Sequence, residues 1–98
     1  MIINKTLTGT VLTLALEGRL DTTTSPALEA ALNESINGIT ELVFDFEKLE
    51  YISSAGLRVL LGTQKKMNVQ GKMTIRHVAD EIQEVFDITG FSDILSIE

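Results

Sequence analysis

Apolar and other residues alternate through Val11-Leu12-Thr13-Leu14-Ala15-Leu16-Glu17, with Leu12, Leu14 and Leu16 on one face and Val11, Thr13 and Ala15 on the other. A period of two marks an extended strand, because successive side chains leave a strand on opposite sides. Ile2 to Leu7 supplies a partner strand, joined through Thr8-Gly9-Thr10 as a hairpin. Gly18-Arg19-Leu20-Asp21-Thr22-Thr23-Thr24 then reads as a loop rich in hydroxyls. Ser25-Pro26 marks a helix start: serine can cap free first-turn amides, and proline suits the first helical position. Leu28, Ala31, Leu32 and Ile36 recur at helical spacing, and Gly38 stops the helix.

Leu42-Val43-Phe44-Asp45-Phe46 is apolar on nearly every position, the pattern of a strand buried on both faces. Its place between helical segments requires a crossover and therefore at least some parallel pairing. A polar loop follows, and Ser54 opens a second helix with Leu57, Leu60, Leu61 and Met67 inward, ending before Gly71. Lys72 to Val78 is the next strand, with Met73 and Ile75 on one side. Ala79 to Thr89 is a third helix carrying Ile82, Val85 and Phe86 inward and Asp80, Glu81, Glu84 and Asp87 outward, stopped by Gly90. Ile94 to Ile97 is expected as a short edge strand. The order β-β-α-β-α-β-α-(β) predicts an α/β sandwich of helices on a sheet.

Composition narrows what such a domain can do. The chain has 98 residues with one proline, seven glycines and no internal repeat, so residues 1–98 are expected as a single domain. A chain this short buries only somewhat more than ~60% of its unfolded surface, which leaves little apolar material to wall off a large active site. The formal charge of −6 argues against direct nucleic-acid binding, which needs a basic face. There is no cysteine and only one histidine, which excludes thiolate chemistry and histidine metal clusters, although carboxylates alone can hold a hard cation. No metal or cofactor is expected. No stretch approaches the ~20 apolar residues of a membrane helix, and Met1-Ile-Ile-Asn-Lys5 lacks signal-peptide character, so the expected location is cytoplasmic with no membrane partner.

The stretch richest in chemical possibility is Tyr51-Ile52-Ser53-Ser54-Ala55-Gly56-Leu57. A serine at a helix start accepts hydrogen bonds from free amides, and a phosphate there would sit at the positive end of the helix dipole. Helix capping is the simplest role for Ser54, and phosphorylation the more consequential one. Gly56 in the first turn is costly for a helix, so close approach of a partner or of the Asp21 loop is the expected reason for it. Asp21 is either a turn residue or part of the surface beside Ser54, with Thr22 and Thr23 adding hydroxyls. Arg58, one turn into the helix, can face an acidic partner or a phosphate on Ser54. Asp45 needs partners within its apolar strand and is expected to cap the following loop, and His77 reads as a strand-end residue. No nucleophile–base or acid–base pair is visible, so no catalytic activity is expected.

These segments together resemble the STAS domain family, specifically the bacterial anti-sigma factor antagonists. The likeness is carried by Gly18-Arg19-Leu20-Asp21, by Leu42 to Phe46 with Leu49-Glu50-Tyr51-Ile52, by Ser53-Ser54-Ala55-Gly56-Leu57 with Leu60-Leu61, and by Gly71-Lys72-Met73, Val85-Phe86 and Gly90-Phe91. It implies a STAS-like mixed β-sheet of four to five strands packed with three to four α-helices on one side. It further implies a monomeric partner-switching protein. In the family the unphosphorylated form binds an anti-sigma factor that is also a serine kinase and so releases the sigma factor. Phosphorylation, here at the matching Ser54, weakens that complex, and a serine phosphatase restores the active form. Asp21, Thr22, Thr23, Ser53, Ala55, Gly56 and Arg58 are the expected partner-binding residues. Two positions depart from the commonest pattern: Ser53 stands where aspartate is usual, and Ala55 where serine or threonine is usual. These departures motivate an alternative, a non-switching STAS subunit of a transport or sensing assembly. A phosphocarrier using His77 is a third reading.

Overall fold

In the computed structural model, which describes residues Met1–Glu98, the alternating segment and its partner form β1 (Ile2–Thr8) and β2 (Val11–Leu20). They pair antiparallel from Ile2↔Glu17 to Thr8↔Val11, leaving Gly9-Thr10 as a two-residue turn. Gly9 takes φ 63°, the left-handed value that such a turn demands at its first central position and that glycine adopts freely. The chain then crosses through α1 (Ser25–Ser35) into β3 (Glu41–Ile52), through α2 (Ser54–Gln70) into β4 (Lys72–Arg76), and ends in α3 (Asp80–Thr89) and a 3-10 turn at Phe91–Asp93. The sheet order is β1-β2-β3-β4, with β2, β3 and β4 mutually parallel. This is a mixed four-stranded sheet with three α-helices. The expected fifth strand is reduced to a single parallel bridge, Ile75↔Ile97.

The core lies between one face of the sheet and the helices. Leu12, Leu14, Leu16 and Leu20 of β2, Leu42, Phe44 and Phe46 of β3 and Met73 and Ile75 of β4 form one cluster with Leu28, Leu32, Leu57, Leu60, Met67, Ile82 and Phe86. The opposite face presents Thr13, Ala15, Glu17, Asp45 and Thr74, all only partly covered. In α2 the inward positions are Leu57, Leu60, Thr63, Gln64 and Met67, while Leu61 is half-buried on the flank. The helical spacing of α2 places residue 64, not 61, on the stripe shared by Leu57, Leu60 and Met67.

Both central strands run further than their hydrophobic pattern suggests. Gly18, Arg19 and Leu20 belong to β2, and the polar loop expected before Ser54 is the second half of β3. Two bulges explain the discrepancy. The β2–β3 register passes from Ala15↔Asp45 to Glu17↔Lys48 and from Gly18↔Leu49 to Arg19↔Tyr51, so β3 carries one extra residue at each step. An extra residue converts the period of two into three at that point. Phe46, Leu49 and Ile52, spaced three apart, therefore all reach the core.

Local stops and starts also shift. Ser25 does not cap α1: its hydroxyl donates to the Asp21 carbonyl at 2.6 Å, and the N-cap is Thr24. Helix α1 closes at Ile36, two residues before Gly38, whose φ of 80° turns the chain toward β3. At α3, Gly90 is the left-handed C-cap that its position predicts. No helix is long and apolar enough to cross a membrane.

Candidate functional site

Strands β2 and β3 run parallel and end side by side at Leu20 and Ile52. The Ser53 amide donates to the Leu20 carbonyl at 2.9 Å, tying the start of α2 to the start of the Asp21 turn. Two helix N-termini thus lie together at the carboxyl ends of parallel strands, where open α/β sheets place their binding surfaces.

The helix cap expected of Ser54 is made by Ser53. Ser53 is extended, and its Oγ accepts from the Gly56 amide at 3.4 Å. Ser54 is the first residue inside α2 and is exposed, with its hydroxyl free of intramolecular bonds. No acidic side chain occupies that first turn. The two serines therefore have separable roles. Ser53→Ala is expected to destabilise the fold by about 0.5–1 kcal/mol, the low end of cap losses for so long a contact. Ser54→Ala should stay within about 0.5 kcal/mol of the parent. Urea titrations followed by circular dichroism distinguish the two.

Asp21 organises the neighbouring turn. Its Oδ1 accepts from the Thr23 amide at 3.0 Å, the Thr23 hydroxyl at 2.8 Å and the Thr24 amide at 3.1 Å, while Oδ2 faces Arg19 Nε at 3.6 Å. The Thr23 hydroxyl is the largest influence on the Asp21 carboxyl. Together with the other donors it outweighs desolvation and holds the pKa below the usual range. Because the folded pKa is depressed, the resulting stability is fully present above the ordinary carboxylate pKa of about 3.9 and is lost as pH falls through the folded value. Asp21→Asn keeps an acceptor oxygen but no charge. Melting temperatures of the two proteins should differ at pH 7 and converge toward pH 2, with the parent the more stable at neutral pH.

Gly56 is buried beneath this surface rather than presented on it. A Cβ there would lie 2.7 Å from Leu20 Cγ and 3.0 Å from Ile52 Cγ1. A close approach of the kind expected at Gly56 is made by Leu20, the residue before Asp21. Gly56→Ala should destabilise by about 1–2 kcal/mol in chemical unfolding, overpacking outweighing the better helix propensity of alanine.

Of the remaining predicted residues, Thr22, Ala55 and Arg58 meet in one shallow groove of about 280 Å³ between α1 and α2, together with Ser25, Pro26 and Glu29. Arg58 is exposed. Thr23 faces the turn through its bond to Asp21. Sequence reasoning assigned no role to the pairing of Arg19 with Tyr51 near the ends of β2 and β3. The Arg19 guanidinium stacks 4.1 Å above the Tyr51 ring, and Tyr51 is 41% exposed. Only the bulged register places these two residues opposite each other, so spacing along the chain carried no signal of it.

Asp45 and His77, singled out separately in the sequence, touch. Asp45 sits mid-strand in β3 and His77 follows β4 with φ 58°. His77 Nδ1 donates to Asp45 Oδ1 at 2.9 Å, and the same oxygen accepts the Glu47 amide at 3.1 Å across the first bulge. Asp45 therefore caps the bulge rather than a loop beyond the sheet. Burial alone would raise the Asp45 pKa, but the His77 and Glu47 hydrogen bonds and the charges of His77 and Arg76 leave it lowered.

The STAS domain family profile matches residues 3–98. BtrV of Bordetella bronchiseptica is 36% identical over 89 residues, covering 89% of this chain and 77% of BtrV. The anti-sigma-B factor antagonist of Staphylococcus aureus strain NCTC 8325 is 34% identical over 82 residues, covering 82% of this chain and 76% of the relative. Among solved structures, the phosphorylated form of the Bacillus cell fate determinant SpoIIAA superposes with a TM-score of 0.78 at 20% identity, over 99% of this chain and 91% of that one. Sheet order, helix placement and sequence agree, and the chain belongs to the STAS domain family.

Proposed function

We propose that this protein is an anti-sigma factor antagonist whose unphosphorylated form binds an anti-sigma factor that is also a serine kinase, releasing the sigma factor. The kinase transfers the γ-phosphoryl group of ATP to Ser54 Oγ, the hydroxyl proton leaves, and ADP is released. The phosphoserine form no longer binds, and a serine phosphatase hydrolyses the ester to restore it. The observation that carries this reading is the exposed, unbonded Ser54 hydroxyl at the start of α2, beside the Thr22–Arg58 groove. The antagonist of Staphylococcus aureus, 34% identical, supports the general role. A fold relative, SpoIIAA, has been solved in both unphosphorylated and phosphorylated forms, which supports a switch without refolding.

Ser53 as cap sharpens the choice of acceptor. Its oxygen is engaged with the Gly56 amide, whereas that of Ser54 is free to attack. Incubation with the cognate kinase and labelled ATP, followed by peptide mapping, should place one phosphate on Ser54 and none on Ser53→Ala-sensitive sites. Labelling that persists undiminished in Ser54→Ala overturns the assignment.

A further inference from the structure

We propose that Asp45, Glu47 and His77 form a binding site for a single Zn²⁺ ion on the helix-free face of the sheet. The three side chains come from two elements, the first bulge of β3 and the residue after β4. Each offers a ligand atom, and these atoms all lie within 4.8 Å of one another. Ions bound at 2.0–2.2 Å in tetrahedral geometry hold their ligands about 3.4 Å apart, so small side-chain rotations close the site. His77 Nδ1 and Asp45 Oδ1 already approach to 2.9 Å around a shared proton. A metal ion takes the place of that hydrogen bond by accepting the Nδ1 lone pair of the neutral ring, whose single proton then sits on Nε2, with no net loss of a proton.

The arrangement is a product of the fold. The bulge inserts its extra residue between Asp45 and Lys48, and the Glu47 amide folds back onto Asp45 Oδ1 at 3.1 Å, which keeps the two acidic residues together. His77 stands in the left-handed region just beyond β4, which turns its ring back over Asp45. Beside the trio lies an open depression of about 210 Å³, lined by Asp45, Glu47, Glu17, Asn4 and Lys48. It leaves room for water to complete the coordination shell. Lys48 is exposed and free to swing away, and Glu17 adds a further negative charge.

One imidazole with two carboxylates favours a borderline cation over magnesium, which prefers oxygen alone and keeps its waters. Bound Zn²⁺ would fasten the loop after β4 to the middle of β3. Because binding is to the folded chain, it would raise the melting temperature with ion concentration.

The chain has no cysteine and no other histidine, so untagged protein offers no competing imidazole or thiolate. Isothermal titration with zinc chloride should give one ion per chain with micromolar affinity. Glu47→Gln, an exposed change, should weaken binding about tenfold. His77→Asn, which tolerates the left-handed backbone, should lose it altogether, with both variants folded by circular dichroism. Amide shifts in a heteronuclear spectrum should cluster at 45–48 and 76–79. Equal affinity for the parent and both variants, a stoichiometry other than one, or magnesium binding as tight as zinc would each overturn the site.

Discussion

Gly71→Ala is expected to destabilise the protein by about 3 kcal/mol or more, at the severe end of overpacking, whereas Gly62→Ala, inside the helix that Gly71 terminates, should stabilise it by up to about 1 kcal/mol. The two glycines differ in what surrounds them. A Cβ on Gly71 would lie 1.9 Å from the Thr40 carbonyl oxygen and 2.6 Å from its carbon, and nothing stands within 4 Å of one on Gly62. Backbone cannot retreat as a flexible side chain can. Thr40 is held on both sides: its amide donates to Thr10 O at 2.9 Å, its oxygen accepts from Lys72 at 3.0 Å, and its hydroxyl meets that of Thr10 at 2.7 Å. Moving Thr40 aside would therefore disturb the starts of β2, β3 and β4 together. For a domain of this size the melting temperature should fall by more than about 10 °C. Thermal and urea unfolding of both variants measure the contrast. Similar effects from the two substitutions would show that the Thr40–Gly71 contact is not rigid.

The contact also marks where sequence reading stops. Gly71 is visible in the sequence as a helix terminator, and α2 does end there. That it is needed because the backbone of Thr40, just before β3, passes beneath it depends on a neighbour 31 residues away. The same limit governs the sheet. The hairpin, the crossovers, the parallel central strands and all three helices follow from hydrophobic period and stop residues. The lower half of β3 does not, because bulges replace the period of two by spacing of three at Phe46, Leu49 and Ile52. A strand with that spacing resembles a polar loop until its partner is known.

At the candidate site, the hydroxyl-rich turn and the small residues of Ser53 to Gly56 marked two helix starts that the fold brings side by side, since helix starts have strong local signatures. Which serine caps and which is free turned on one backbone angle, with Ser53 extended and Ser54 helical. The role of Gly56 required knowing that Leu20 lies against it, and the Arg19–Tyr51 stack required the bulged register. Asp45 and His77 were each recognisable as unusual in isolation. Their pairing spans β3 and the end of β4 and belongs to tertiary structure alone.

Ser54→Asp should weaken binding to the proposed anti-sigma factor kinase by at least about 30-fold, the lower end for leaving a charge unpaired in an interface, while Ser54→Ala should bind like the parent. Ser54 is exposed and directly precedes Ala55, which lines the groove with Thr22 and Arg58, so a partner seated there would strip water from the new carboxylate. Phosphate, with roughly −1.5 to −2 charges, should exceed the effect of aspartate. The same substitution is expected to act oppositely on the free protein. A carboxylate at the first position of α2 faces the positive end of the helix dipole, where it contributes about 0.3–1 kcal/mol of stability. Ser54→Asp should therefore melt no lower than the parent even as it binds more weakly. That combination separates a charge switch from a folding defect. Titration calorimetry against the kinase, paired with thermal unfolding of each variant alone, tests both halves. Equal affinities for the aspartate and alanine variants would exclude charge at Ser54 as the switch. A lower melting temperature for the aspartate variant would instead attribute lost binding to damage at the start of α2.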